Sequence, residues 1–274
     1  MIDFLYANGC SWTFGNGIEQ DLKYASLPVD QRWEKLQLDA WPSLLSSTLG
    51  VPLKNDSIGA ASNARMVRKT VEFLQNYTGN YENLVVILGW TSVDRDELYL
   101  DHDGRSGWVM FNTTQPVSSH GDFWTHGINA HFLKQVDQWQ KHYIMDIYQN
   151  YERYHNYFQQ LYLMKNLLEN LKIKYIFFKA MNDMFSSDIK QLESSQVSMQ
   201  FAQVQSKIKS PALFMTRDDL PEHCNTMEAF CRTNGYPMCA DNHTQTLGHW
   251  HWSQHLANAL HDLYKVEYVP KNNT

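Results

Sequence analysis

The sequence predicts an α/β protein, a three-layer α/β/α sandwich built on a mainly parallel sheet. Three observations carry this. Strand-sized apolar runs stand at Ile2–Ala7, Leu84–Leu88 and Ile173–Phe178. Amphipathic helical stretches separate and follow them. The run Leu84-Val85-Val86-Ile87-Leu88 does not alternate with polar residues, as expected of a central parallel strand covered on both faces. Strand and helix in alternation call for a parallel sheet with helices on each side.

The elements follow in order. Ile2–Ala7 breaks at Asn8-Gly9, a buried strand running into a tight turn. Ser62–Tyr77 has helical spacing, with Met66, Val67, Val71 and Leu74 on one side and Arg65, Arg68, Lys69 and Glu72 on the other. Ile144–Leu171 reads as a long helix leading into the strand Ile173–Phe178. Ser253–Tyr264 reads as a last amphipathic helix, with Ser253 as its cap. Two segments, about 101–142 and 186–221, lack periodicity and are expected to be irregular insertions in a single domain spanning 1–274.

Composition narrows the function. Hydrophobic residues make up 43% and aromatics 14%, enough for a sizeable core. The net charge of −6 and the lack of a dense Lys/Arg run disfavour nucleic acid as a partner. No apolar run is long enough to span a membrane, and the first residues lack the basic start of a secretory signal. A cytoplasmic protein with free thiols at Cys10, Cys224, Cys231 and Cys239 is the expectation. The last three cysteines, near His223 and His243, are spaced by seven and eight residues and contain no Cys-x-x-Cys pair. No metal centre and no cofactor are therefore expected.

The sharpest local signal is Gly9-Cys10-Ser11-Trp12-Thr13-Phe14-Gly15, directly after the first strand. Ligands of open α/β sheets bind beyond the carboxyl ends of the strands, where this turn must lie. On its own, Ser11 suits a helix cap as well as a nucleophile. The segment resembles the first block of the SGNH/GDSL hydrolases, Gly-Asp-Ser-x-x-x-Gly, with Cys10 in place of the Asp. The resemblance implies a flavodoxin-like sheet and a serine nucleophile at Ser11.

Three later blocks extend the resemblance over about residues 2–265. Gly59-Ala60-Ala61-Ser62-Asn63-Ala64-Arg65 is similar to the second block of a bacterial and phage branch, which implies that the Gly59 amide donates to an oxyanion. Asn63 is taken as a further substrate-side residue. Gly89-Trp90-Thr91-Ser92 stands where the family has Gly-x-Asn-Asp, which puts Thr91 at the oxyanion Asn position and Trp90 beside it. Asp94 and Arg95 read as a local ion pair.

The last block is Gly248-His249-Trp250-His251-Trp252-Ser253-Gln254-His255. The family's base lies in a loop before the final helix, three residues after an Asp. Here that Asp is missing. His249 is the predicted base and His251 the alternative, with His255 structural. Asp241, eight residues before His249, is the candidate acid if the loop folds back; a backbone carbonyl, or no orienting group, are the alternatives.

The expected function is a serine ester hydrolase acting through an acyl-enzyme, with a carbohydrate or small-molecule acetyl ester as substrate. A catalytically degenerate fold binding glycans is the alternative, and a metal-dependent hydrolase using the His/Cys-rich C-terminal part is a third.

Overall fold

The computed structural model describes residues 2–24, 26–102, 105–112, 138–139, 142, 150–181, 210, 212 and 226–268. In chain order the strands and α-helices are β1 (Phe4–Gly9), α1 (Ser11–Phe14), α2 (Val29–Asp39), α3 (Trp41–Leu49), β2 (Leu53–Asn55), α4 (Asn63–Asn76), β3 (Leu84–Trp90), β4 (Arg95–His102), β5 (Arg105–Asn112), α5 (Asn150–Asn170), β6 (Lys174–Lys179), α6 (Met227–Thr233) and α7 (Thr246–Tyr264).

Four strands form one parallel sheet in the order β2-β1-β3-β6. The pleat sorts their side chains into two cores. Leu5, Ala7, Val85, Ile87, Ile176 and Phe178 pack on one face against Trp41 and Leu45 of α3 and Trp252, Leu256 and Leu260 of α7. Tyr6, Val86, Leu88, Tyr175 and Phe177 pack on the other against Met66 and Leu74 of α4 and Tyr157, Leu161 and Leu168 of α5. This is the three-layer α/β/α sandwich that the apolar runs predict. All seven residues of β3 are buried, because that strand lies between two others and under helices on both sides.

The expected elements recur with shifted bounds. The helix cap at Ser62 is real: its hydroxyl accepts the Arg65 amide at 3.0 Å. Three differences stand out. The helical pair α2 and α3 was not anticipated. The segment from Arg95 to Asn112 is a regular antiparallel hairpin, so the stretch read as irregular from residue 101 begins inside a strand. The last helix starts at Thr246 rather than Ser253. A glycine at 248 suggests a break, but Gly248 is helical, and a Cβ there would meet Thr244 Oγ1 at 2.0 Å. Most of the rest of the 101–142 stretch and nearly all of 186–221 lie outside the described residues.

No helix among the described residues is long and apolar enough to cross a membrane.

The carboxyl ends of β1 and β3 carry glycines for a shared reason. A Cβ at Gly9 would lie 2.2 Å from Thr13 Oγ1, and one at Gly89 would lie 2.5 Å from the same atom. Thr13 of α1 is thus wedged between two adjacent strand ends, which fixes the serine turn to the sheet. Gly89→Ala should cost about 1–3 kcal/mol by overpacking. Adding Thr13→Ala to that variant should recover part of the loss in a thermal or denaturant melt, as a coupled pair requires.

Candidate active site

Three turns meet at the carboxyl ends of the strands. The first holds Ser11, the opening residue of α1, whose side chain is buried. Gly15 ends α1 in the left-handed region at φ 103°. Its neighbour Asn16 donates its amide to the Ser11 carbonyl at 3.0 Å.

The second turn, 56–61, is tied to β1. The Asp56 amide donates to the Ala7 carbonyl at 3.0 Å and the Ile58 amide to the Gly9 carbonyl at 3.3 Å. Arg65 reaches back from α4 to the Asp56 carbonyl at 2.8 Å. Gly59 is buried, and the Asn16 carboxamide faces it, 3.7 Å from where a Cβ would stand. Neither the Ser11 nor the Gly59 amide donates to a backbone carbonyl among the described residues.

The third turn comes from the far end of the chain. Residues 237–245 close on themselves: Met238 and Thr244 form an antiparallel bridge, the Cys239 amide donates to the His243 carbonyl at 2.9 Å, and the Gln245 amide to the Pro237 carbonyl at 3.0 Å. The turn carries His243 to Ser11, with Nε2 and Oγ 2.7 Å apart. On the ring's other side, Nδ1 lies 3.1 Å from Asp241 Oδ1. That separation is ion-pair range, but the Nδ1–H direction misses the oxygen, and Nδ1 makes no aligned hydrogen bond. Asp241 therefore acts on the ring as an electrostatic neighbour.

Asp241 is half exposed. Its partial burial raises the carboxyl pKa, but the Cys239 thiol, donating to Oδ1 at 2.6 Å, and the His243 ring and amide outweigh it and hold the pKa below the usual range. Burial, with Asp241 second, pushes the Cys239 thiol up to about 11.

The imidazole at the serine is thus His243, and the expectation of His249 is corrected. Because α7 begins at Thr246, His249 lies on the helix and points inward, fully buried. Its Nδ1 accepts the Trp41 amide at 3.2 Å. Burial, then the neighbouring His243, lowers its pKa to about 3. His251 also rides on α7, stacked on Tyr236 with centroids 4.5 Å apart.

In the third block the placements differ residue by residue. Trp90 is buried in the core against Tyr157 and Phe177. Asn63 spends its carboxamide on the turn after β3: Oδ1 accepts the Thr91 amide at 3.0 Å, and Nδ2 donates to the Thr91 and Ser92 carbonyls at 3.2 and 3.3 Å. Its two N–H donors are therefore engaged, and one Oδ1 lone pair is left. The Thr91 hydroxyl accepts from Arg95 at 3.0 Å. Asp94 pairs with Arg153 of α5, so the expected Asp94–Arg95 pair does not form.

The profile of a family described as "Family of unknown function (DUF6071)" matches residues 29–205, more than half of the chain. The chain belongs to that family. In this DUF6071 member the matched stretch holds Gly59, Asn63, Trp90 and Thr91, while Ser11, Asp241 and His243 lie outside it. No curated protein matches the sequence. Among solved structures it is similar to TesA, at 12% identity and a TM-score of 0.43 over 95% of this chain and 99% of that one. It is similar to a carbohydrate esterase whose active site is described as having divergent catalytic and non-catalytic binding functions. That likeness has 11% identity and a TM-score of 0.44, over 96% of this chain and 66% of that one. A lipolytic protein of the G-D-S-L family from Veillonella parvula DSM 2008 matches at 8% identity and a TM-score of 0.38, over 96% of this chain and 98% of that one. These likenesses are too distant to carry a function, which has to come from the side chains.

A cleft lined by Ile2, Leu49, Lys174 and Val266 lies at the opposite ends of the strands and contains none of these groups.

The buried His249 has a consequence for stability. Its ring is neutral in the fold down to about pH 3, whereas the unfolded chain protonates it near pH 6.5. Between those values the unfolded state binds more protons, so stability rises with pH and is lost on acidification. His249→Gln should flatten the slope of stability between about pH 6.5 and 5, above the range of ordinary carboxylates, by up to about 1.4 kcal/mol per pH unit, read from denaturant melts.

Proposed function

We propose that this chain is a serine ester hydrolase of the SGNH type, with Ser11 as nucleophile, His243 as base and Asp241 as the carboxylate behind it. The observation that carries this is the 2.7 Å contact between Ser11 Oγ and His243 Nε2, with Asp241 at the opposite ring nitrogen. A hydroxyl becomes a useful nucleophile when a base within hydrogen-bond reach takes its proton.

In the reaction, Ser11 Oγ attacks the acyl carbonyl as His243 Nε2 takes the hydroxyl proton. The amides of Ser11 and Gly59 receive the oxyanion. His243 returns the proton to the leaving alcohol, and a water, deprotonated by the same nitrogen, releases the acyl group. The negative Asp241 stabilises the imidazolium that forms twice in this cycle. Asn63 is held by the turn, whereas the Thr91 hydroxyl, which accepts from Arg95, keeps its own O–H as a third donor beside the two amides.

The substrate we propose is a small acyl ester, acetyl on a sugar or other small alcohol, consistent with a nucleophile so deeply set. The glycan-binding alternative rests on two absences, the Asp three residues before the base and the Asn of the third block; Asp241 beside His243 weighs against the first, and Thr91 still stands in place of the second.

A fluorophosphonate probe and aryl acetates test the reading. Wild-type protein should be labelled at Ser11, and Ser11→Ala should lose both labelling and turnover. His243→Gln should lower turnover by about 10³-fold or more. His249→Gln should keep labelling in its folded fraction. Undiminished turnover in Ser11→Ala, or loss with His249→Gln and not with His243→Gln, would sink the assignment.

A further inference from the structure

Cys239, Asp241 and His243 each offer a ligand atom, and the three lie within 4.8 Å of one another. They occupy alternate positions of the closed 237–245 turn, pinned by the Asn242 amide donating to the Cys239 carbonyl at 3.0 Å. We propose that these three side chains form a site for a soft divalent cation, zinc fitting best, and that filling it switches the serine centre off. The second half of this rests on the hydrolase reading above; the binding itself does not.

The donor set selects the metal. A thiolate, an imidazole and one carboxylate suit zinc and do not suit magnesium or calcium, which prefer oxygen alone. Tetrahedral zinc with bonds of about 2.0–2.3 Å holds its ligand atoms about 3.3–3.6 Å apart; Asp241 Oδ1 lies 2.6 Å from Cys239 Sγ and 3.1 Å from His243 Nδ1, so the exposed carboxylate has to draw back slightly to admit the ion. Two features leave the site ready. His243 Nδ1 is buried without an aligned hydrogen bond, and its neighbour at 3.1 Å is Asp241 Oδ1, itself one of the three ligands. Asp241 is half exposed, which leaves a side open for water as the fourth ligand. The spacings of seven and eight residues that rule out a zinc finger do not bear on a Cys-x-Asp-x-His turn.

The switch follows from the two nitrogens of one ring. As a base, neutral His243 carries its proton on Nδ1, facing Asp241, and Nε2 accepts from the Ser11 hydroxyl. When metal binds, the Cys239 S–H bond breaks, its proton passes to water and the sulfur bonds the metal. The Nδ1 proton also passes to water as that nitrogen gives its lone pair to the metal. Nε2 takes a proton from solvent and keeps the ring neutral. The Nε2–H then donates to Ser11 Oγ instead of accepting from it. A serine that receives a hydrogen bond from this nitrogen cannot lose its proton to it, so metal binding and catalysis exclude each other.

The test has two readouts on the full chain. Cobalt(II), titrated as a visible stand-in for zinc, should give a thiolate-to-cobalt absorption band at one equivalent. The band should vanish in Cys239→Ala and be displaced by zinc. Separately, zinc at about ten times its Kd should cut the rate of fluorophosphonate labelling about tenfold, a chelator should restore it, and Cys239→Ala should label at one rate with and without zinc. Cys239→Ser serves if the alanine variant does not fold. No band in the wild type, or a band that survives the Cys239 variants, overturns the site. A band with zinc-insensitive labelling overturns the switch. A chain that shows the band and is never labelled overturns the hydrolase reading and leaves the metal site standing.

Discussion

No side chain can stand at residue 17, and the whole site depends on that. Gly17 sits at φ 98°, and a Cβ there would lie 2.8 Å from His243 Cβ, 2.8 Å from the Thr244 carbonyl and 3.0 Å from Cys239 Sγ. Both the backbone conformation and the space demand glycine. Through this gap the turn near the end of the chain lies against the loop after the serine. Trp12 supports the contact from beside, its ring 5.5 Å from that of His243. A bulkier residue would push the imidazole away from the hydroxyl it must touch.

The two halves of the site are held by different means. Ser11 stands on the sheet, with Thr13 locked between the ends of β1 and β3, so its position is as firm as the core beneath it. His243 stands on a short loop closed by its own backbone hydrogen bonds and anchored at its end by α7. Reactive groups on loops above a rigid scaffold are the common arrangement of α/β proteins. It also explains why one face of that loop can offer a second set of ligands without disturbing the strands.

The strands, the layer order and the serine turn were legible because each leaves a local mark: an apolar run, a helical stripe, a pair of glycines. The partner of the serine was not. His249 looks well placed in sequence, next to a glycine and near the final helix. Only the early start of α7 at Thr246 turns it into the core, and a glycine at 248 does not announce a helix that begins before it. In sequence His243 stands out only as a neighbour of cysteines. The alternation Asp241-x-His243 was a usable signal, since a tight turn brings such positions to one side, and Asp241 was already the candidate acid. Asn63 and Trp90 were misread for a similar reason. Both sit in the right blocks, yet backbone carbonyls claim the first and neighbouring aromatic rings the second. Gly17 had no periodic pattern around it to draw notice.

The central claim is that the imidazole against Ser11 belongs to His243. A crystal structure of the chain with a phosphonate bound to Ser11 measures it most directly. The account predicts His243 Nε2 within hydrogen-bond distance of the serine oxygen or the phosphonate, and His249 turned away toward the Trp41 amide. Electron density placing the ring of His249 or His251 against the modified serine, with His243 remote, would contradict it.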